Sequence, residues 1–240
     1  QRAGGGDWEA HPQSAHADAG EGVGLHDWSA LILAGGAGRR FGGGKLLADL
    51  AGAPVIRRVA DAVAVADFAE VIVVTGAEDA RIRAALSGID ARIINAPDWA
   101  EGMAASLRCG VAALAPETNG VCVFLGDMPL VPVALCARLG DAALEAGYAA
   151  RPRFEGRPGH PVAFTRAAYP DLIVLTGDQG ATALLRQRDG DVAYCDTDDI
   201  GALLDVDTPD DLAAARRAWK PCATSATNES ATSRGALPKP

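Results

Sequence analysis

Residues Leu33 to Lys45, Leu-Ala-Gly-Gly-Ala-Gly-Arg-Arg-Phe-Gly-Gly-Gly-Lys, bring six glycines, two arginines and a lysine into one stretch. That is material for holding phosphate: glycines adopt positive φ and approach a ligand closely, so that backbone N–H groups converge on oxygens while cations neutralise charge. Two acidic positions could complete such a site. Asp127 follows the apolar run Val121 to Leu125, and Asp207 lies in Asp205-Val-Asp207-Thr-Pro209. Carboxylates suit Mg2+, which commonly takes one or two of them together with phosphate and water oxygens. Both aspartates also have a plainer role open to them. Asp127 could cap a turn, and Asp207 or Thr208 could cap a helix with Pro209 at its first position. His160, between Gly159 and Pro161, is either a loop histidine satisfied by backbone or a ligand-facing group.

Two familiar glycine-loop motifs fail against this segment. A P-loop needs Gly-x4-Gly-Lys-Ser/Thr, but Arg39 stands where its first glycine belongs and Leu46 follows Lys45. A dinucleotide fingerprint from Gly36 would run Gly36-x-Gly38-x-x-Phe41, with a ring where the helix must pack closely, and no acidic residue ends the second strand. An NAD-dependent dehydrogenase is therefore disfavoured.

The elements that must position these residues read as alternating strands and helices around a mostly parallel sheet, a three-layer α/β/α arrangement of Rossmann-like type. Strands are expected at 29–33, 71–75, 91–95, 121–125, 148–151, 162–164 and 192–195. Helices are expected at 54–66, 79–86, 102–114, 131–146, 180–188 and 209–219, and 152–161 reads as a loop. Val121 to Leu125, bounded by Gly120 and Gly126, reads as a central strand covered on both faces. Ligands bind beyond the carboxyl ends of the strands in such sheets, which is where Asp127 stands.

The flanks differ in composition. Residues 1–26 and 220–240 lack apolar periodicity and read as flexible tails around one domain at 27–219. The net charge of −9 opposes binding to a nucleic-acid backbone, but not to a small polyphosphate in a local cationic pocket. No stretch approaches the roughly 20 apolar residues that span a bilayer. The five cysteines, Cys109, Cys122, Cys136, Cys195 and Cys222, show no metal-ligand spacing and fit reduced thiols, so a cytoplasmic location without membrane contact is expected.

The glycine loop, together with Asn95-Ala-Pro-Asp-Trp-Ala-Glu-Gly-Met-Ala-Ala-Ser106, Gly126-Asp-Met-Pro129, Gly159-His-Pro-Val162, Gly177-Asp-Gln-Gly-Ala181 and Asp205-Val-Asp-Thr-Pro209, resembles the nucleotidyltransferases of GT-A-like fold. Within them it is similar to the molybdenum cofactor cytidylyltransferases and their guanylyltransferase relatives, over about residues 30 to 218. The resemblance implies a Mg2+-dependent transfer of a nucleoside monophosphate from CTP, or from GTP, to the phosphate of molybdopterin. Other acceptors in related enzymes include 2-phospholactate and sugar phosphates, and a non-catalytic nucleotide-binding module would keep the same fold.

By the same resemblance, Lys45 and Arg39 hold the triphosphate and Asp127 and Asp207 the metal. Leu33, Ala34, Gly35, Gly36 and Gly38 bring backbone to the nucleotide, Asn95 and Ser106 contact base or ribose, and His160 orders the acceptor side. Arg40 is expected to point outward. Proteins of this kind often serve a molybdenum hydroxylase. Gly35 stands where the cytidylyl branch usually has alanine, which favours GTP; the Gly-Asp-Met-Pro and Gly-His-Pro-Val segments favour CTP.

Overall fold

The computed structural model describes residues 24–219 except 37 and 179, and of residue 39 the backbone alone. Among the described residues ten strands are interspersed with helices. The strands are β1 (Trp28–Ala34), β2 (Asp49–Leu50), β3 (Ala53–Pro54), β4 (Glu70–Thr75), β5 (Arg92–Asn95), β6 (Gly120–Leu125), β7 (Ala149–Phe154), β8 (Arg157–Pro158), β9 (Val162–Thr165) and β10 (Val192–Asp196). The α-helices are α1 (Val55–Ala64), α2 (Asp79–Ala85), α3 (Met103–Ala112), α4 (Cys136–Ala146), α5 (Tyr169–Leu172), α6 (Thr182–Gln187) and α7 (Pro209–Ala218).

The main sheet runs β10-β7-β9-β6-β1-β4-β5, with β8 added on β7 and β2-β3 as a separate hairpin. Pairs β1/β4, β1/β6, β4/β5 and β7/β10 are parallel, and β9 runs against both β6 and β7. This is the expected α/β/α sandwich on a mostly parallel sheet.

Strand β1 explains the layering. Every one of its residues is buried, and they alternate between two cores: Ala30, Ile32 and Ala34 on one face, Leu31 and Leu33 on the other. A strand covered on both faces needs the unbroken apolar run that Ala30–Ala34 supplies. One face is closed by α1 and α4, whose Ile56, Val59, Val63, Cys136 and Leu139 recur at helical spacing. The other is closed by α3 through Leu107 and Val111. Close approach is possible there because Gly110 has no side chain: a Cβ would lie 2.5 Å from a Leu31 methyl.

Several expected boundaries are corrected. Pro54 does not open its helix from inside; it ends β3 in extended backbone (φ −57°, ψ 146°), and α1 begins at Val55. The span expected as helix 131–146 starts as a loop and a short 3-10 turn, since Pro132 at ψ 81° is not helical, and α4 occupies 136–146. The helix expected at 180–188 is confined to Thr182–Gln187, with Gly180 left-handed at φ 52°. The expected loop 152–161 is largely the β7-β8 hairpin, turned by Glu155 and Gly156 at φ 47° and 77°. The tails expected at 1–26 and 220–240 lie outside the described residues apart from 24–26, where Leu25–Asp27 form a 3-10 turn and Leu25 packs on the core.

Candidate active site

The site forms where β1 and β6 end side by side. Leu33 pairs with Leu125, and the Gly126 N–H donates to the Leu33 carbonyl at 2.9 Å, so the glycine segment and Asp127 leave the sheet together. The segment then wraps back. Gly44, left-handed at φ 69°, starts the 3-10 turn Lys45–Leu47, and buried Leu46 anchors it. The stem of Lys45 lies over Gly38, where a Cβ would be 3.1 Å from its Cγ.

This places the Lys45 ammonium between two carboxylates, 2.5 Å from Asp127 Oδ2 and 2.7 Å from Asp207 Oδ1. Asp207 arrives from a distant part of the chain because the Val206 N–H donates to the Asp127 carbonyl at 2.9 Å. It need not cap α7. Thr208 does so, in a capping box with Asp211, and Asp207 keeps its carboxylate for Lys45 and for Arg40 Nη1 at 3.1 Å. Arg40, expected to point outward, is exposed yet turned onto this carboxylate.

The electrostatics follow from Lys45, with exposed Arg40 beside it, among three acids. Burial works against the charge on Lys45, but Asp127 and Asp207 outweigh it and the ammonium titrates above its ordinary value. The hydrogen bond from Lys45 holds Asp207 below the usual carboxylate range. Asp205 is pushed up by burial and then by the charges of Asp127 and Asp207.

Asp127 Oδ1 is buried and has no hydrogen-bond partner. An orphaned carboxylate oxygen on a residue that lines the cleft beside Asp207 has the chemistry of a hard-cation ligand. Among the described residues no group of three or more His, Cys, Asp or Glu forms a ready-made metal cage. Asp127 and Asp207 could therefore hold a divalent cation that draws its remaining oxygens from a bound ligand and water.

Two cavities adjoin this triangle. The first, about 470 Å³, lies between Ala34, Gly35, Gly36 and Gly38 on one side and Trp99, Met103 and Ser106 on the other, with Lys45, Asp127 and Asp207 at its floor. The second, about 440 Å³, continues from it through shared Leu33, Met103, Leu125 and Asp178 to Arg151, His160 and Arg186. Sheet topology explains this. Val162 pairs with Val123, so β9 starts near the carboxyl end of β6, and β7 runs parallel to β6 one strand further on. Arg151 and His160 thereby reach the ligand side of the sheet.

Most expected residues converge, with three qualifications. Asn95 does not line either cavity: it is exposed at the end of β5 and donates to the Gly76 carbonyl at 3.3 Å, steadying the turn behind the glycine segment. The Arg39 side chain lies outside the described residues. His160 stands in the second cavity and not the first, with Nδ1 buried and unpartnered; burial and then the Arg151 charge lower its pKa to about 4. Ser106 is buried against Gly35, where a Cβ would come within 2.3 Å of its Oγ.

Sequence reasoning passed over Asp178, Arg151 and Arg186. Arg151 carried a signal, an arginine inside the otherwise apolar start of a buried strand. Among the described residues no helix is long and apolar enough to cross a membrane.

Comparison with known proteins agrees with this geometry. The chain is 32% identical over 191 residues to the nicotine blue oxidoreductase of Paenarthrobacter nicotinovorans, covering 76% of this chain and 93% of that protein. It is 27% identical over 127 residues to the molybdenum cofactor cytidylyltransferase of Escherichia coli strain K12, covering 53% of this chain and 63% of that one. A structure of Rv0371c from Mycobacterium tuberculosis H37Rv in complex with manganese superposes with a TM-score of 0.66 at 25% identity, covering 80% of this chain and 99% of that one. The sequence profile of the MobA-like NTP transferase domain matches residues 30–193, a stretch that begins in β1, takes in the glycine segment, Asp127 and the second cavity, and ends in β10. By that match the chain belongs to the MobA-like NTP transferase family, the nucleotidyltransferases of GT-A-like fold.

Proposed function

We propose that the protein transfers a nucleoside monophosphate from CTP, and less readily from GTP, to the phosphate of molybdopterin or its molybdenum-loaded form. The carrying observation is Lys45 bridging Asp127 and Asp207 directly beneath a glycine-lined cavity. Nucleotidyl transfer is limited by charge, so positioning and electrostatic stabilisation supply most of the catalysis.

In this reading the first cavity takes the nucleotide. Backbone at Ala34, Gly35 and Gly36 faces base and ribose, Ser106 adds a hydroxyl, and Lys45, Arg39 and Arg40 offset the triphosphate charge. Asp127 and Asp207 would hold Mg2+, which when bound neutralises phosphate oxygens and favours departure of pyrophosphate. The acceptor lies in the second cavity with its phosphate directed past Asp178. Its oxygen forms a bond to the α-phosphorus as the bond to the β-phosphate oxygen breaks, and pyrophosphate leaves. No protein nucleophile is needed.

The test is pyrophosphate release from purified protein with Mg2+ and molybdopterin, offered CTP and GTP separately. Release with CTP is expected; release with GTP alone would assign base choice to Gly35, and silence with both overturns the molybdopterin reading. 2-Phospholactate and a sugar phosphate serve as alternative acceptors.

A second reading rests on the relative named nicotine blue oxidoreductase, which this chain matches over 93% of that protein's length. In it the same cleft serves an oxidoreductase, and a nicotinamide dinucleotide, although the spacing of the glycine segment disfavours it, is the first hydride carrier to try. Thermal stabilisation by NAD or NADH, but not by CTP with Mg2+, would favour it, because a ligand selective for the folded state raises apparent stability.

A further inference from the structure

The far end of the second cavity carries more positive charge than the surrounding protein balances. Arg151 is 9% exposed and donates through Nε and Nη2 to the Gly159 carbonyl, at 3.2 and 3.0 Å. Among the described residues neither it nor Arg186 pairs with a carboxylate. Arg151 titrates below its ordinary value through burial, opposed in part by Tyr194, with repulsion from the Arg186 guanidinium adding to the lowering. Asp178, the sole acid lining this cavity, stands at its boundary with the first. A charge buried without a counter-ion is costly to keep, which points to a ligand that supplies the counter-charge.

The rest of the wall defines the ligand's body. Leu107, Phe164 and Leu185 are buried hydrophobic residues that line the cavity between Asp178 and the arginines. His160 Nδ1 is buried and has no hydrogen-bond partner among the described residues.

We propose that the second cavity binds a molecule with an apolar body and an anionic group held by Arg151 and Arg186, a group separate from the phosphate that reacts. The inference rests on the transferase reading for the molecule's role as acceptor, and it makes an anionic group apart from the reacting phosphate the feature that selects among acceptors: 2-phospholactate has one in its carboxylate, whereas molybdopterin's single phosphate is the reacting group. The anion is a carboxylate or a second phosphate.

The experiment is equilibrium binding by calorimetry to the whole chain, in saturating CTP and Mg2+ so that the first cavity is filled. The probes are 2-naphthoate, 2-naphthyl phosphate and the neutral naphthalene-2-carboxamide. Wild type is expected to bind at least one anion about tenfold more tightly than the amide, the scale of a charge-assisted hydrogen bond; whichever anion binds better identifies the group. R186Q, at an exposed position on α6, should erase that preference while amide binding and melting temperature stay unchanged. R151K keeps a cation in the strand and should weaken the anions in part. Equal binding of anions and amide, no binding of any probe, or an unaltered preference in R186Q overturns the proposal. Absence of pyrophosphate release with molybdopterin, 2-phospholactate and a sugar phosphate alike would remove the transferase reading and leave this binding preference standing.

Discussion

Lys45 holds together two carboxylates that would otherwise repel, and this makes its removal different from the loss of one contact. For K45A the expectation is roughly a 10- to 100-fold rise in KM for CTP, the scale of a charge-assisted hydrogen bond to phosphate. An unchanged KM in steady-state kinetics would show that the loop grips the triphosphate by backbone alone. D127N keeps the shape of the site but removes charge at the orphaned oxygen. Its turnover should fall roughly 100-fold or more, as for other preorganised electrostatic groups, with a native melting curve; turnover like that of wild type at saturating Mg2+ contradicts the assignment. A subtler case is Gly35, whose neighbour Ser106 leaves no room for a methyl. G35A should cost about 1–3 kcal/mol in urea unfolding, as overpacking does. G35A combined with S106A should recover most of it, and additive losses would exclude their contact as the cause. Lys45, Asp127 and Asp207 were legible in the sequence because each belongs to or adjoins a patterned segment: the glycine run, the apolar strand before Asp127, and the Asp-Thr-Pro entry to α7. Arg151 and Arg186 were not, since only the fold brings a strand residue and a helix residue to one corner.

At the scale of elements, the β-strands were legible from their apolar runs, which both faces of the sheet require. The two hairpins were not. Each turns on a non-glycine residue with positive φ, Ala51 at 54° and Glu155 at 47°, residue types that rarely announce such a turn. Helix α7 shows how an element decides what a side chain is free to do. Thr208 and Asp211 satisfy its first turn reciprocally, and Asp207 is released to the site. T208A should cost about 1 kcal/mol of stability by loss of the cap. It should also lower turnover as Asp207 competes for the freed N–H groups. A stability loss with unchanged kinetics would separate the cap from the site.

For the molecule as a whole, His160 gives a pH dependence with a definite sign. Its pKa is lowered from 6.5 to about 4, so the folded state binds this proton less readily than the unfolded state does. The associated stability is complete above pH 6.5 and is lost as pH falls toward 4. Urea midpoints should decline across that window in wild type and decline less in H160Q; parallel profiles would assign the loss to other groups. Asp207, held low by Lys45, contributes at more acid pH in the same direction, present above 3.8 and lost as its carboxylate protonates.

The bridge from Lys45 to Asp207 spans 162 residues of chain, and the one to Asp127 spans 82. A ribosome delivers these three groups in that order, with long intervals between them. While residues beyond Asp127 are still being added, the emerging chain has the glycine segment and one acid but lacks the partner that completes the clasp. Nucleotide offered to such a chain meets half a site. On the proposed reading, translation paused just before Leu203 should therefore yield a species that has begun to build its sheet and cannot retain metal and triphosphate together, and the ability to bind them would be acquired late, in a single step, as α7 docks.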